Sequence, residues 1–408
     1  MTNPYAKQRL ASVAALVSPV DDNSTTRIAL DDIESWTGKL LDIDRTGSFA
    51  TGHAFKLGNI LFGKLRPYLA KVWVADRNGV YNGDFLQLSP SPLIDARYLG
   101  YALRTTQFIE AADSRSTGSK MPRTEWTSLR EIHIPVPNRA TQEIIANYLD
   151  HESPEIDSLI CDLAAAQTLA RERHAAALER VIVTDGPPPT ELRRHFPERK
   201  TGTSVNGAPW PAEPGEPGVL KTGAASQREY RPYENKAVID PIEQARLTTP
   251  VEADRVLVNR ANTPSNVGAA AYVEHGSDDL FLSDKLWSID FQGVNEYFAF
   301  AMQTRLYQDQ ASQRAVGTSL SMQNLPYDEF LSIRLPVPSV ERQGSICATL
   351  REEQRSINTS VSDLDRAITL AKERRAALIT AAVTGQIDVT AKRRPAAEQL
   401  EDDIKELS

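Results

Sequence analysis

Hydrophobic residues in this chain follow two different rhythms, and the pair of rhythms is written twice. Through the first ~140 residues of each half, short β-rich runs such as KVWVAD (71–76) and DRVLVNR (254–260) alternate with turn residues. They predict the strands of a compact α/β domain with a twisted sheet. Downstream the spacing changes to steps of four and three: Ile357, Val361, Leu364, Ile368, Ala371, Arg375, Leu378 and Ala382. The first half repeats it as Ile156, Ile160, Leu163, Gln167, Ala170, His174, Ala177 and Val181. Such a seam predicts a long helix that needs a partner helix. Between the rhythms stand IHIPVP (132–137) and IRLPVP (333–338), whose prolines forbid helix and close each domain on an extended segment.

These two hexapeptides lie 201 residues apart. The same offset pairs Thr117 with Thr318, Gln142 with Gln343, Leu149 with Leu350, and ARERHAA (170–176) with AKERRAA (371–377). A duplicated unit follows. The predicted division is a first domain over 1–138, a helix over 139–185, a Pro/Gly-rich linker over 186–218, a second domain over 219–339, a helix over 340–389, and a charged tail over 390–408. If the two helices pair, the second must run back along the first. The fold class expected is α+β, with two α/β domains joined by two long antiparallel coiled-coil helices. About 30 residues of helix would span ~45 Å, and Gln167, His174 and Arg375 would be polar register markers in the seam.

Charge modifies this picture only locally. The chain carries 46 Lys and Arg against 54 Asp and Glu, a formal net charge of −8. Residues 51–137, however, hold eleven basic side chains against seven acidic, whereas 221–338 hold eleven against fifteen. A nucleic-acid partner is thus favoured by the first domain's balance and opposed by the second's. Two cysteines and no membrane-length apolar run fit a cytoplasmic protein without disulfides.

Catalytic motifs are weak. Gly58, Gly63 and Lys64 have phosphate-loop spacing, but Leu65 replaces the required Ser or Thr, and Ile60, Leu61 and Phe62 read as buried strand. NLPY (324–327) resembles a methyltransferase motif, yet it aligns with RTEW (123–126), which has no such chemistry. No histidine set has metal-ligand spacing. The chain reads as non-catalytic, with no cofactor of its own.

Binding chemistry remains. KLRPYLAK (64–71) offers Lys64, Arg66, Tyr68 and Lys71 around a rigid Arg-Pro turn. STGSKMPR (116–123), with Ser119, Lys120 and Arg123, and GTSLSMQN (317–324), with Thr318, Ser319, Gln323 and Asn324, occupy one place in the two halves. Glycine beside small hydroxyl residues suits close approach to phosphate. NRANTPSN (259–266) adds Arg260, Asn262, Ser265 and Asn266, side chains of the kinds that read guanine and adenine edges.

These strings carry a family likeness. LFGKLRPYLAK, GDFLQLSP, STGSKMPRTEW and IHIPVP, followed by a glutamine-led helix, resemble one target-recognition unit of the specificity subunits of type I restriction-modification systems. VLVNRANTPSNVG, GTSLSMQNLP, IRLPVPSVERQ and KERRAALITAAVTGQID resemble a second. The resemblance implies two target-recognition domains that each read half of a bipartite site in double-stranded DNA, with the helices setting the spacer. It further implies two methyltransferase subunits docked on the helical regions, with Gln142 and Gln343 marking the docking face, and restriction subunits that complete the complex. S-adenosylmethionine and ATP would belong to those partners. The alternative is a duplicated DNA-binding regulator or scaffold with no methyltransferase partner.

Overall fold

The computed structural model describes residues 4–21, 26–41, 52–319, 322–390 and 395–405. The chain divides into two compact units, Met1–Ala165 with Asp363–Ser408, and Ala166–Ser362. Each unit therefore contains one α/β head, the beginning of the helix that follows it, and the end of the other long helix.

In the first unit an antiparallel sheet runs in the order Ala14–Val17, Phe85–Pro90, Ile60–Gly63, Val72–Val74. A second sheet runs Val20–Asp21, Gly52–Phe55, Gly79–Tyr81, Arg27–Ile28, its last pair parallel. Ile60, Leu61 and Phe62 are all buried because the first sheet is covered on both faces. Ile60 and Phe62 join the core under the helices Ala96–Ala102 and Thr106–Asp113, while Leu61 packs with Ile33, Phe55 and Trp73 on the other side. A strand buried on both faces reads as a continuous apolar run. The phosphate-loop spacing at Gly58 to Lys64 is thus a sheet strand.

The second unit repeats the order of the first sheet as Glu198–Thr201, Leu286–Asp290, Arg255–Asn259, Ala270–Val273, while its second sheet runs Asn235–Ala237, Gly218–Leu220, Ser277–Phe281, Pro250–Val251, with the parallel pair in the middle. Val256 and Val258 face the main core, and Leu257 faces the smaller one. Register aligns the copies strand by strand. Ile60 pairs with Leu88 and Val256 with Ile289, so one strand is displaced by 196 residues while its neighbour keeps the displacement of 201. Single-register alignment fails upstream because the connections differ in length.

The same comparison locates the start of the second head. Lys7–Arg9 pairs with His133–Pro135, and Thr190–Glu191 pairs in the same way with Arg334–Leu335. Residues 186–218, expected as a linker, thus contain the opening strand of the second head. They also contain its sheet edge, Glu198–Thr201 against Trp287–Asp290. Short, charged edge strands such as ERKT look like loop in a sequence, since a charged edge resists pairing with other chains.

The long helices span Arg139–Leu178, extended by a wider turn over Glu179–Thr184, and Val340–Thr384. The first continues through Pro154, which removes the N–H that would bond the Asp150 carbonyl. In the first unit Leu149 shares a core with Ile379 and Val383, while Ile156 packs with Ala371, so the segments run antiparallel. In the second unit Leu178 and Ile182 share the core of Ile346 and Leu350, and His174, earlier on the first helix, interacts with Glu353, later on the second, so the sense is the same. Gly186 ends the first helix where a Cβ would stand 2.1 Å from the Ile182 carbonyl oxygen. Gly385, at φ +71°, ends the second, with the Gln386 N–H donating to the Ala381 carbonyl at 2.8 Å. The charged tail is in part a helix, Ala396–Lys405. Its Leu400 is buried, and Ile404 half-buried, beside Ile156 and Ala371. The four-residue spacing puts both on one face.

Candidate nucleic-acid interface

In the first head the strand Ile60–Gly63 runs out into the KLRPY segment, and the 116–123 loop comes back beside it. The Lys64 N–H donates to the Asp84 carbonyl at 2.8 Å, and the Lys64 carbonyl accepts from the Thr124 N–H at 3.0 Å. The Arg66 N–H donates to Pro122 at 2.7 Å, while Thr117 and Arg123 exchange two backbone bonds of 2.9 Å that close the loop. Arg66 and Ala70 both adopt left-handed conformations (φ +49° and +48°) around the Pro67–Leu69 turn. Such φ values are unfavourable for non-glycine residues. Here they hold up the turn that leaves Arg66 and Tyr68 exposed.

Arg66, Tyr68, Ser119, Lys120 and Arg123 are thus exposed on two adjoining loops, with Lys64 half-buried at their base. Arg123 is 3.6 Å from Asp84. Lys71 differs from expectation: its side chain is only 14% exposed, with Nζ donating to the Leu30 carbonyl at 2.9 Å and 3.8 Å from Asp31. It anchors the head internally. The sequence reading missed Arg115 and Met121, both exposed on the same segment. Met121 sits inside the loop already singled out, beside Lys120, while Arg115 immediately precedes that loop, with Nη1 donating to the Ala111 carbonyl at 2.8 Å.

The second head repeats the backbone frame. The Arg260 N–H donates to Lys285 at 3.0 Å, the Arg260 carbonyl accepts from Leu325 at 2.8 Å, and Ala261–Asn262 pairs with Gln323–Asn324. The side chains differ. Asn262 donates to Ser226 Oγ at 3.0 Å and accepts from the Thr263 N–H at 2.8 Å, so its amide is engaged in the turn. Asn266 donates to Thr263 Oγ1 at 3.3 Å, while Ser265 is exposed at 3.2 Å from that hydroxyl. Arg260, Gln323 and Asn324 are half-buried, with Arg260 Nη1 3.4 Å from the Asp284 carbonyl. Thr318 and Ser319 lie on the strand Val316–Ser319, their side chains outside the described residues. Ser226, the partner of Asn262, comes from a distant segment and could not be read from local sequence.

Gln142 and Gln343, expected on a partner-docking face, are buried at 0% and 2% exposure. Gln142 Oε1 accepts from the Asp95 N–H at 2.7 Å, and its Nε2 donates to Leu93 and Pro137 carbonyls at 3.1 and 2.8 Å. Gln343 Oε1 accepts from Val294 at 2.8 Å, and its Nε2 donates to Pro338 at 2.8 Å. Tyr98 and Tyr297 hydroxyls donate to the Pro135 and Pro336 carbonyls at 2.9 and 2.7 Å. Buried carbonyls of a proline-rich strand need donors. Each glutamine joins its helix to its own head, and its recurrence reflects that bond.

The seam positions also separate. Arg375 is buried, with Nε 2.7 Å from Asp157 Oδ1, an ion pair without hydrogen-bond alignment, and with Nη1 donating to the Trp36 carbonyl at 3.0 Å. Lys39 approaches Asp157 at 2.9 Å. In the second unit both His174 ring nitrogens are buried without a hydrogen-bond partner among the described residues. Burial holds the imidazole below its usual range, and Glu353 opposes that shift. Among the described residues no group of His, Cys, Asp and Glu could hold a metal ion. No described helix is long and apolar enough to cross a membrane.

Two separate comparisons agree with the resemblance read from the sequence. The fold is that of a chain solved in work on complex assembly and conformational transition of the type I R-M system. The TM-score is 0.69 over 95% of this chain and 100% of that one, at 15% identity. In sequence the chain is similar over about a third of its length to type I specificity subunits: it is 31% identical over 146 residues, 35% of this chain, to the Type I restriction enzyme EcoDI specificity subunit of Escherichia coli. It is 27% identical over 143 residues to the EcoEI specificity subunit of the same organism. Those matches cover 32% and 23% of the two relatives, so the alignable part is at most about a third of their length. No family model matches the chain.

Proposed function

We propose that the chain is the sequence-specific DNA-binding specificity subunit of a type I restriction-modification complex, each head reading one half of a bipartite target. One observation supports this above the others. In both heads two loops distant in sequence meet at the end of the same strand through equivalent backbone bonds, yet present different side chains. A constant frame with variable tips is what two independent readers of DNA require. Arg66, Lys120 and Arg123 supply phosphate contacts or guanine-edge donors in the first head. Gln323 and Asn324, with Arg260, supply amide and guanidinium groups for base edges in the second. The helices set the unread spacer and dock two methyltransferase subunits, and restriction subunits complete the complex. Methyl transfer and translocation, with S-adenosylmethionine and ATP, are carried by those partners.

Co-expression with a methyltransferase partner should create adenine methylation at a divided motif, read by methylome sequencing. Replacing Arg66, Lys120 and Arg123 together by alanine should abolish or relax one half of the motif and leave the other half unchanged. Four residues inserted near Ala165 should lengthen the spacer or abolish recognition without altering either half-site. Absence of any bipartite methylated motif would leave a DNA-binding regulator or scaffold as the better account.

A further inference from the structure

Among the contacts that hold the heads to their helices, several repeat in kind, Arg139–Asp95 at 3.2 Å occurs in the first unit with Val340 and Val294 in its place in the second, and one contact repeats with its charges reversed. The repeated ones are the Tyr98 and Tyr297 hydroxyls on proline carbonyls and the Gln142 and Gln343 amides. They carry no charge, so no difference of polarity in them distinguishes one head from the other. Two turns further along each helix the polarity inverts. Arg97, second residue of the helix Ala96–Ala102, has Nη1 2.7 Å from Asp150 of the first long helix. At the equivalent place in the second unit, Glu296, second residue of the helix Asn295–Ala301, meets Arg351, with Arg351 Nε to Glu296 Oε1 at 2.9 Å.

Neighbouring positions change in step. The Tyr101 hydroxyl donates to Asp150 Oδ1 at 2.8 Å, and Phe300, with no hydroxyl, stands in its place where the helix carries arginine. Arg104 is buried under the first head, its guanidinium donating to the Gly100 and Thr37 carbonyls and lying over the Tyr101 ring. Gln303 replaces it in the second. These side chains line matching cavities of about 580 and 540 Å³ between head and helix within each unit. In the first the head is cationic and the helix acidic, and in the second Glu296 faces Arg351 and Arg355.

We infer that Arg97–Asp150 and Glu296–Arg351 form a polarity key that makes each head specific for the helix carrying it. A head would then be exchangeable only together with the first three turns of that helix. The shared PVP segment at 135–137 and 336–338 invites exchange at its own position, and there the key would be mismatched. The two pairs are unequal. Arg97 and Asp150 side chains are 44% and 40% exposed, so water screens them, whereas Glu296 is 9% exposed. A largely buried carboxylate without its cation is the more damaging mismatch.

The test uses full-length chains. Placing residues 190–338 over 8–137 sets Glu296 against Asp150, and the melting temperature should fall on the order of 5–10 °C below that of an exchange of 190–352 over 8–151, which brings Arg351 along. Asp150→Arg in the short exchange should restore most of the difference. Should the exchanges fail to fold, the natural chain provides a second cycle: Glu296→Arg and Arg351→Glu should each lower the melting temperature, and the double variant should recover. Equal stability of the short and long exchanges, or a double variant no better than the worse single one, would overturn the key.

Discussion

Each unit encloses a stretch where the two long helices meet, and equivalent positions there are filled with opposite strategies. In the first, Arg375 and Asp157 form a buried ion pair that also engages Lys39 and the Trp36 carbonyl. In the second, the equivalent residues are His174 and Asn358, and both imidazole nitrogens are buried without a hydrogen-bond partner among the described residues. The first arrangement depends on complementary charge, and the second on keeping a titratable ring neutral. Duplication thus preserved the seam while allowing each end to be stabilised differently.

The largest effect that would break this comparison is at Arg375. Arg375→Met leaves Asp157 buried with Lys39 at 2.9 Å and the more distant Arg104 as its cations among the described residues, and removing one partner of a buried pair costs several kcal/mol. A loss of about 3 kcal/mol is expected, the lower part of that range because Lys39 remains. His174→Met removes no charge partner and should be close to neutral. Calorimetry gives the totals, and hydrogen exchange at Ile60–Gly63 against Arg255–Asn259 assigns each loss to its unit. Equal losses in the two variants would remove the distinction between the ends.

The glutamines test what the two units share. Gln142→Ala leaves the Asp95 N–H and the Leu93 and Pro137 carbonyls without this partner, whereas Gln343→Ala affects the Val294 N–H and the Pro338 carbonyl. Unsatisfied buried groups cost about 1–3 kcal/mol, so about 2 kcal/mol is expected for each, the first variant losing more. Urea unfolding reads both. Losses under about 0.5 kcal/mol, the range of ordinary surface positions, would mean the amides face solvent and could serve a partner after all.

How much of this was legible follows from the physics of each element. The proline segments, the helix seam and the repeat were readable because hydrophobic period and proline sterics act locally. Two glutamines recurring at one register position were visible too. Their role was not, because a side chain bonding a carbonyl of its own head and one reaching a partner look identical in a sequence. Lys71 was misjudged for the same reason: its acceptor, the Leu30 carbonyl, is 41 residues away. The opening strand at Thr190–Glu191 was hidden by its two-residue length and by the proline run before it. The charge-reversed pairs could have been noticed only with the register shift of the short helices, 199 residues at Tyr98 and Tyr297 against 201 in the long ones, which the hydroxyl contacts supply.

The smallest expected effect sharpens the second half of the comparison. Because burial depresses the His174 pKa, the unfolded chain takes up a proton at higher pH than the folded one. The folded state is then undiminished above the ordinary imidazole value of 6.5, loses stability as pH falls through it, and loses no more once pH is below the folded value. His195 is shifted down by burial in the same unit and contributes a slope of the same sign. His174→Gln should flatten part of the acid-side decline and leave the share due to His195, while Glu353→Gln, by removing the opposing charge, should steepen it. Stability followed from pH 7.5 to 5 separates these outcomes. A decline unchanged by His174→Gln would place the ring in water, and the second unit would then have no counterpart to the buried Arg375.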